Sequence, residues 1–169
     1  MQEEVFTAIR SFLLPHLSGF DVVEFQNNRV PEPDGDFVIM SSLGGRRLSL
    51  NGDTYGDATV AILQPWEMRV QLDFHSADTT SSADAATKIS ALFRSWYAVD
   101  AFKDGGLGVT PLYADDARQR PFVNAEQEYE TRWTLDVAVQ INTVYDLDID
   151  TAQNPGSIFI EPPSDSLQI

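Results

Sequence analysis

The chain has 169 residues, 43% of them hydrophobic, which is enough material for one domain with a packed core. Its 26 acidic and 11 basic residues give a formal charge of −15, which argues against a protein that binds nucleic acid through the phosphates. The absence of cysteine excludes disulfide bonds and thiolate metal sites.

The N-terminal segment, MQEEVFTAIRSFLL, predicts an amphipathic helix over residues 2–14. Its apolar residues recur at spacings of one, three and four, and Pro15 ends the pattern. A short strand is predicted at residues 20–23. Two acids and broken hydrophobicity are unlike a signal peptide, and no apolar run approaches the roughly 20 residues of a membrane span. We therefore expect no membrane partner, and a protein kept in the cytosol of its producer or carried by an assembled particle.

The stretch FQNNRVPEPDGDFV, residues 25–38, is unusually polar and stiff. Its two prolines fix φ and lack a backbone donor, so we predict an extended segment or turn at residues 29–34. A strand over residues 37–42 then leads to Gly44 and Gly45. The glycine pair predicts a tight turn followed by a return strand.

The segment WEMRVQLDFHS, residues 66–76, predicts a long strand. Apolar and polar residues alternate strictly from Trp66 to His75, which indicates one buried face and one solvent-exposed face. His75 falls in the polar row, so we expect it to face solvent.

The remaining elements are a helix and a second long strand. TSSADAATKISALFRSWY predicts a helix whose apolar face includes Ile89 and Trp96 and whose N-cap is a hydroxyl from residues 80–82. Residues 104–108, DGGLG, indicate a loop, and residues 111–133 read as a second loop. YETRWTLDVAVQINTV, which begins at Tyr129, alternates as a half-buried strand with Tyr129 in the apolar row.

Two long strands of this kind favour an antiparallel sheet with helices on its dry face. We therefore predict an α+β fold, a two-layer sandwich of a mostly antiparallel sheet with helices packed on one face. Residues 1–145 form a single domain in this interpretation, and residues 146–169 form an extended acidic C-terminal tail. The apolar patch at residues 158–160 could add to the sheet edge or pocket of a neighbouring subunit, and the alternative is a disordered tail.

The residues that could carry chemistry do not form a recognisable catalytic pattern. The two histidines, His16 and His75, belong to no H-E-x-x-H or triad motif, and no G-x-S-x-G elbow is present. DLDIDT lacks the glycine and glutamate of an EF-hand, and DGGLG is not followed by Gly-Lys-Ser/Thr. Asp115 and Asp116 are close to Arg118 and Arg120, which predicts a surface loop with ion pairs.

Two segments, QNNRVPEPDGDF and PLYADDARQRPFVNAEQEYETRW, concentrate prolines, arginines and aromatic residues. Stiff segments of this composition favour a protein–protein interface, because little entropy is lost when they bind. The alternative is that these side chains pack within their own chain. Arg46 and Arg47 add a small basic spot, for which an acidic neighbouring subunit is the expected partner.

At these segments the sequence resembles the tail-terminator proteins, a family of tailed-phage neck proteins. The resemblance is carried in order, from about residue 20 to residue 143, by QNNRVPEPDGDFVIM, RRLSLNGDTYGD, MRVQLDFHS with ATKISALFRSWYA, and PLYADDARQRPFVNAEQEYETRWTLDVAVQIN.

The resemblance implies a structural virion protein with a small α/β domain, no catalytic residue and no cofactor. Subunits of such a family form a ring, usually a hexamer, on the head-proximal end of the tail tube. The ring ends tube growth and joins the tube to the head–tail connector protein, and DNA passes through its lumen as non-specific cargo. The implied location is the tail and neck of the virion, with assembly in the host bacterial cytoplasm.

The residues are compatible with such a ring. Six copies would carry a formal charge of −90, six times the −15 of one chain, and an acidic lumen would repel DNA phosphates. A cyclic ring needs two different faces on each subunit, for which residues 25–38 and 111–133 are the candidates. The candidate interface residues are Asn27, Asn28, Arg29, Pro31, Pro33, Arg46, Arg47, Arg118, Arg120, Tyr129 and Arg132.

Three other functions stay open on the sequence alone. The first is another neck role, as a head–tail connector or tail-completion subunit. The second is a small metal-dependent hydrolase that uses Asp115, Asp116 and His75, which would have to converge in one pocket. The third is a monomeric module whose sheet edge binds a peptide.

Overall fold

The computed structural model describes residues 1–24, 33–123 and 129–149. These ranges contain three helices and seven strands, in chain order α1 (Gln2–Leu13), β1 (Phe20–Glu24), β2 (Asp36–Arg47), β3 (Gly52–Tyr55), β4 (Thr59–Ser76), α2 (Thr79–Phe93), α3 (Trp96–Asp104), β5 (Val109–Ala114), β6 (Arg118–Val123) and β7 (Tyr129–Asp148). The seven strands form one sheet in which only β1 and β2 are parallel neighbours. The predicted α+β fold with a mostly antiparallel sheet is confirmed.

β4 and β7 form the centre of the sheet. They are paired without a register shift from Thr59 opposite Asp148 to Ser76 opposite Thr131. β2 and β3 lie along the other edge of β4, with β1 outside β2, and β5 and β6 lie along the other edge of β7. At about 3.4 Å per residue, this central pair is roughly 60 Å long.

The helices cover one face of the sheet, which we call the helix face. Alternate side chains of the two central strands pack against the helices, as the period-two pattern predicts. These side chains are buried, and they are Met68, Val70, Leu72 and Phe74 of β4 and Leu135, Val137, Val139 and Ile141 of β7. The opposite face carries the polar row of each strand and is called the helix-free face below.

Three phenylalanines hold the helices to one another. Phe12 of α1, Phe93 of α2 and Phe102 of α3 are buried, and each ring lies near the other two. Ring centroids are 5.3–5.7 Å apart, and two of the three pairs are edge-on at 81° and 87°. Edge-to-face pairs add about 0.5–1.5 kcal/mol each beyond the burial of their area.

No helix in the described ranges is both long and apolar enough to cross a membrane.

The predicted helix after β4 is two helices. The α2 helix ends at Phe93, and α3 begins at Trp96, whose side chain is 77% exposed. The prediction that Trp96 belongs to the apolar face of one long helix is therefore wrong. The N-cap prediction is also wrong, because Asp78 caps α2 by accepting a hydrogen bond from the Thr80 amide at 3.1 Å.

The glycine pair in β2 does not form a hairpin. β2 continues through Gly44 and Gly45 to Arg47, with a bulge between Ser42 and Gly44. Gly44 has a φ of +93°, which bends the strand without reversing it. A glycine with a positive φ fits a bulge as well as a turn, so the glycine pair alone could not distinguish the two. Because β2 continues through both glycines, the predicted return strand is wrong.

The segment 111–133, predicted as a loop, is largely part of the sheet. β5 and β6 both pair with β7, and only residues 115–117 and the part outside the described residues separate the strands. Prolines within β5 and β6 hid these strands from sequence analysis, since proline is confined to sheet edges. Both strands do lie at an edge of the sheet.

The central strands extend past the helices as an arm, which comprises residues 52–65 and 142–148. α1 begins at its base, where Thr143 Oγ1 donates a hydrogen bond to Met1 Sδ at 3.6 Å. Beyond this point large apolar side chains are exposed on both faces, with exposed fractions of 71% for Tyr55, 38% for Leu63, 52% for Val144, 56% for Tyr145 and 49% for Leu147. β7 continues to Asp148, and residues 150–169 lie outside the described part, so the domain boundary at residue 145 stays a prediction.

Gly45→Ala should lower the free energy of unfolding by about 1–3 kcal/mol, the usual cost of overpacking. An added Cβ would lie 2.3 Å from Trp66 Nε1 and 2.5 Å from the Glu67 carbonyl oxygen. Gly52→Ala is the matched control, because its Cβ would meet nothing closer than Leu63 Cβ at 4.0 Å. Urea unfolding followed by circular dichroism measures both, and equal stability of the two variants would contradict the packing argument.

Candidate functional site

The charged side chains are concentrated on the helix-free face. Residues directly opposite each other in paired strands point to the same face. Arg118 is opposite Thr134 and Arg120 is opposite Arg132, so β6 and β7 place the three arginines together. Arg118 and Arg120 are exposed, and Arg132 is half-buried. Three of the residues predicted for a subunit interface thus share one surface.

The other residues predicted for a subunit interface lie away from this arginine cluster. Arg46 is on the helix-free face, and Arg47, the next residue of β2, is opposite Trp66 on the helix face. The register puts Arg46 level with Gln140, about 27 Å along β7 from Arg132. Pro33 is half-buried. The remaining predictions, Asn27, Asn28, Arg29 and Pro31, lie outside the described residues, and Tyr129 is described only as the first residue of β7.

Arg46 forms an ion pair within its own chain. Its Nε and one terminal nitrogen donate hydrogen bonds to Glu67 Oε2 at 3.1 and 2.8 Å, and the pair raises the pKa of Arg46. The Glu67 side chain is only 3% exposed, whereas that of Arg46 is 72% exposed. Arg46 therefore compensates a buried carboxylate from the solvent side, while most of its surface is free to contact a partner.

The two aspartates after β5 pair with arginines that sequence analysis did not select. Asp115 Oδ2 accepts from Arg69 at 3.3 Å, and Asp116 Oδ1 accepts from Arg94 at 2.9 Å. Arg69 also lies over the Tyr113 ring at 5.7 Å. The predicted pairs with the arginines at 118 and 120 are not formed among the described residues. The two acids and the two arginines line one small cleft, but Asp115 and Asp116 form their ion pairs with Arg69 and Arg94 instead.

Asp73 is a buried acid beside the arginine cluster. Arg132 Nε lies 3.4 Å from Asp73 Oδ1, close enough for an ion pair but not in hydrogen-bond geometry. Burial raises the pKa of Asp73 and Asp136 raises it further, whereas Arg132 and Arg120 act in the opposite direction. The net direction is upward, so desolvation of this carboxylate outweighs its attraction to the arginines.

His75 is not solvent-facing, contrary to prediction. It is 6% exposed, and its ring stacks on that of Phe37 at a centroid distance of 4.6 Å and an angle of 8°. The polar row is therefore partly covered, because Phe37 of β2 lies on the helix-free face directly opposite His75. Alternation identified the face of His75 but could not reveal that an aromatic neighbour covers it.

The residues required by the hydrolase alternative are not gathered in one pocket. A cleft of about 20 Å³ is lined by Asp115 and Asp116 but not by His75. The register puts His75 opposite Arg132 of β7. The Asp115 amide donates a hydrogen bond to the carbonyl oxygen of Asp136, which lies about 13 Å further along β7 than Arg132. Within the described ranges no group of three histidine, aspartate or glutamate residues could hold a metal ion.

Sequence analysis missed the arm as a candidate site. Its exposed apolar residues include Leu63, Val144, Tyr145 and Leu147, which lie where the central strands extend beyond the helices. One signal was present, because the regular alternation of β7 breaks at NTVYDLD and puts apolar residues on both faces. Large uncovered apolar surfaces of this kind mark contact sites.

These features define a structural α+β domain whose prominent surfaces are a charged sheet face and an apolar arm, both suited to protein contacts. The model of the phage neck terminator protein family matches residues 3–162. The chain belongs to the phage neck terminator family. It is a structural protein of the bacteriophage neck, a part of the virion where it contacts other proteins of the tail or head. A search of curated proteins found no match.

Arg46→Gln should lower the melting temperature more than Arg47→Gln, although the two variants lose the same charge from adjacent positions. Only the first leaves the buried carboxylate of Glu67 without its cation. Adding Glu67→Gln to Arg46→Gln should recover part of the loss, because the unpaired charge is then removed. Differential scanning calorimetry measures all three proteins, and equal losses for the two arginine variants would refute this role of Arg46.

Asp73→Asn should become more stabilising, relative to the native protein, as the pH rises from about 3 to 7. The folded-state pKa of Asp73 lies above its unfolded value, so the contribution of its protonation to stability is complete at low pH. That contribution is lost as the pH rises through the folded pKa, and asparagine has no proton to lose. Melting temperatures of both proteins across this range measure the difference, after circular dichroism has verified that each is folded at the starting temperature. A difference that stays flat or falls would contradict the raised pKa.

Proposed function

We propose that this protein assembles as a homo-oligomeric ring of six copies at the head-proximal end of the phage tail tube. The ring stops growth of the tube, joins it to the head–tail connector protein and lets DNA pass through its lumen. The observation that carries the proposal is the family match over residues 3–162. It makes the protein a neck component, and terminating the tail is the act that the family description names.

The charge of the chain supports a lumen through which DNA slides. The formal charge of −15 per copy disfavours phosphate binding, and a ring multiplies it around the channel. Part of the basic charge in the described residues is compensated within the chain, because Arg46, Arg69, Arg94 and Arg132 each lie within ion-pair distance of a carboxylate.

The arrangement of surfaces supports a cyclic assembly. A ring needs two different contact surfaces on each copy, so that each subunit binds the next one head to tail. Arg118 and Arg120 are exposed on the helix-free face and form no ion pair with another described residue. We assign one contact surface to this arginine cluster on β6 and β7, and the other to residues 25–38, which follow β1 in sequence at the other edge of the sheet.

Deletion of the gene from its phage should give overlong tail tubes that are separate from DNA-filled heads, as seen by negative-stain electron microscopy. Tube growth would continue because nothing caps its end, and heads would stay unjoined because the docking face is missing. Complementation with the native gene is the control. Normal joined particles without the gene would refute a terminating role, and unjoined tails of normal length would favour a connector or completion function.

Complementation with variants then locates the contact surface. Arg118→Glu should fail to restore joined particles, because it reverses a charge in the proposed interface. Lys103→Glu is the matched control, since Lys103 is an exposed residue in the last turn of α3, in the helix layer. Equal titres for the two variants would exclude the arginine cluster as a contact.

A further inference from the structure

The arm has two unpaired edges. The outer edge of β7 pairs with β6 and β5 up to Ile141, but over residues 142–148 no other described strand lies beside it. On the opposite side of the arm, the outer edge of β3 at residues 52–55 is also without a neighbour among the described strands. Each edge presents backbone donors and acceptors that could extend the sheet.

The edges of β5, β6 and the free part of β2 are protected against such pairing, and the arm edge of β7 is not. β5 contains Pro111 and a register shift after it, and β6 contains Pro121. The free part of β2 has a bulge followed by two arginines. Prolines, bulges and charged side chains, above all lysine, are the usual protections of an edge strand, and residues 142–148 contain no proline, bulge or lysine and have only the two acids Asp146 and Asp148. Protection therefore stops where the arm begins.

The exposed apolar side chains beside these edges would add buried area to an interface. Tyr55 is 71% exposed and Tyr145 is 56% exposed. With about 200 Å² per tyrosine side chain, the two together present roughly 250 Å². A stable interface buries about 1,600 Å² over both partners, and each contact between arms brings together Tyr145 of one copy and Tyr55 of the next, so these two residues supply about a sixth of it. Leu147 enlarges this surface on the helix face, and Leu63 and Val144 are exposed on the opposite face of the arm.

We propose that residues 142–148 of β7 pair with β3 of a second copy of this chain, so that the arms of neighbouring subunits form one continuous sheet. The proposal rests on the ring proposed above and deepens it. The two edges lie on opposite sides of the arm, so each copy offers one edge to the preceding subunit and the other to the following subunit. Such a contact is heterologous and closes on itself in a ring.

The expected alignment follows from symmetry. β3 and β7 both run antiparallel to β4, so the two edges run in the same direction and meet as a parallel pair when copies rotate about an axis along the arm. A closed ring has no rise between copies, so residues at equal height meet. Through β4, Thr54 is level with Asp146 and Tyr55 is level with Leu147. These contacts put a hydroxyl beside a carboxylate and an aromatic ring beside an aliphatic side chain.

Disulfide cross-linking tests the pairing, since the native chain has no cysteine. The double variant Thr54→Cys with Asp146→Cys places two thiols on the helix-free face of the arm. Within one chain they are separated by two strand spacings, about 9.6 Å, which is beyond the roughly 7 Å limit for a disulfide. The double variant Thr54→Cys with Val144→Cys detects the same pairing if the strands are tilted so that the register shifts by two residues.

Mild oxidation of the assembled protein should give a ladder of covalent oligomers for at least one double variant, seen on non-reducing gels. The single variants are the controls and should stay monomeric on the gel. Covalent dimers from Asp146→Cys or Val144→Cys alone would show that β7 pairs with β7 about a two-fold axis and would overturn the inference.

Native mass spectrometry of the same samples separates this inference from the ring itself. Rings without any cross-link would overturn the pairing of arms and leave the proposed function standing. If neither rings nor cross-links form under conditions where the protein is folded, both proposals fail. A ladder that ends at the subunit number of the ring supports both.

Discussion

The pairing of β4 with β7 is the constraint on which the rest of the structure depends. It is uninterrupted over the full length of β4, and every other strand except β1 attaches to one of its two outer edges. At about 3.4 Å per residue the pair is roughly 60 Å long, whereas α2, with 15 residues at about 1.5 Å each, is only about 22 Å long. The helices therefore cannot cover the sheet, and the arm with its exposed apolar faces is a direct consequence of this mismatch in length.

Much of the frame could be predicted because it depends on local periodicity. The alternation from Trp66 to Phe74 identified the buried row of β4, and that from Trp133 to Ile141 identified the buried row of β7. The α1 helix was predicted to within one residue of its end. Pairing between distant segments was not predictable in the same way, so β5 and β6, which contain prolines and have little alternation, were interpreted as a loop. Their strand character comes from β7, the partner that they lie against.

The errors at individual residues share one physical cause, which is that the same local pattern serves different tertiary environments. Gly44 takes a positive φ in a bulge, although a hairpin would use the same residue. His75 and Glu67 occupy the polar row of β4, yet both are buried, the first under Phe37 and the second behind Arg46. Of the candidate interface, the sequence identified arginines that β6 and β7 bring together. It could not distinguish those with a carboxylate partner in the chain from those without one, because that depends on cross-strand geometry.

The acids of the arm explain how an unprotected edge can select its partner. The described arm contains Asp53, Asp57 and Asp146 and ends with Asp148, and it contains no basic residue. If two β7 edges met about a two-fold axis at residue 146 or 147, Asp146 would face itself or Asp148, and like charges directly opposite are destabilising. In the level pairing of β7 with β3, Asp146 faces Thr54 and Asp53 faces Tyr145, so no acid opposes another. The acids thus disfavour the two-fold pairing of β7 with β7, which would leave the ring open, and permit the pairing of β7 with β3, which closes it. An edge without proline or lysine can in this way remain soluble before assembly.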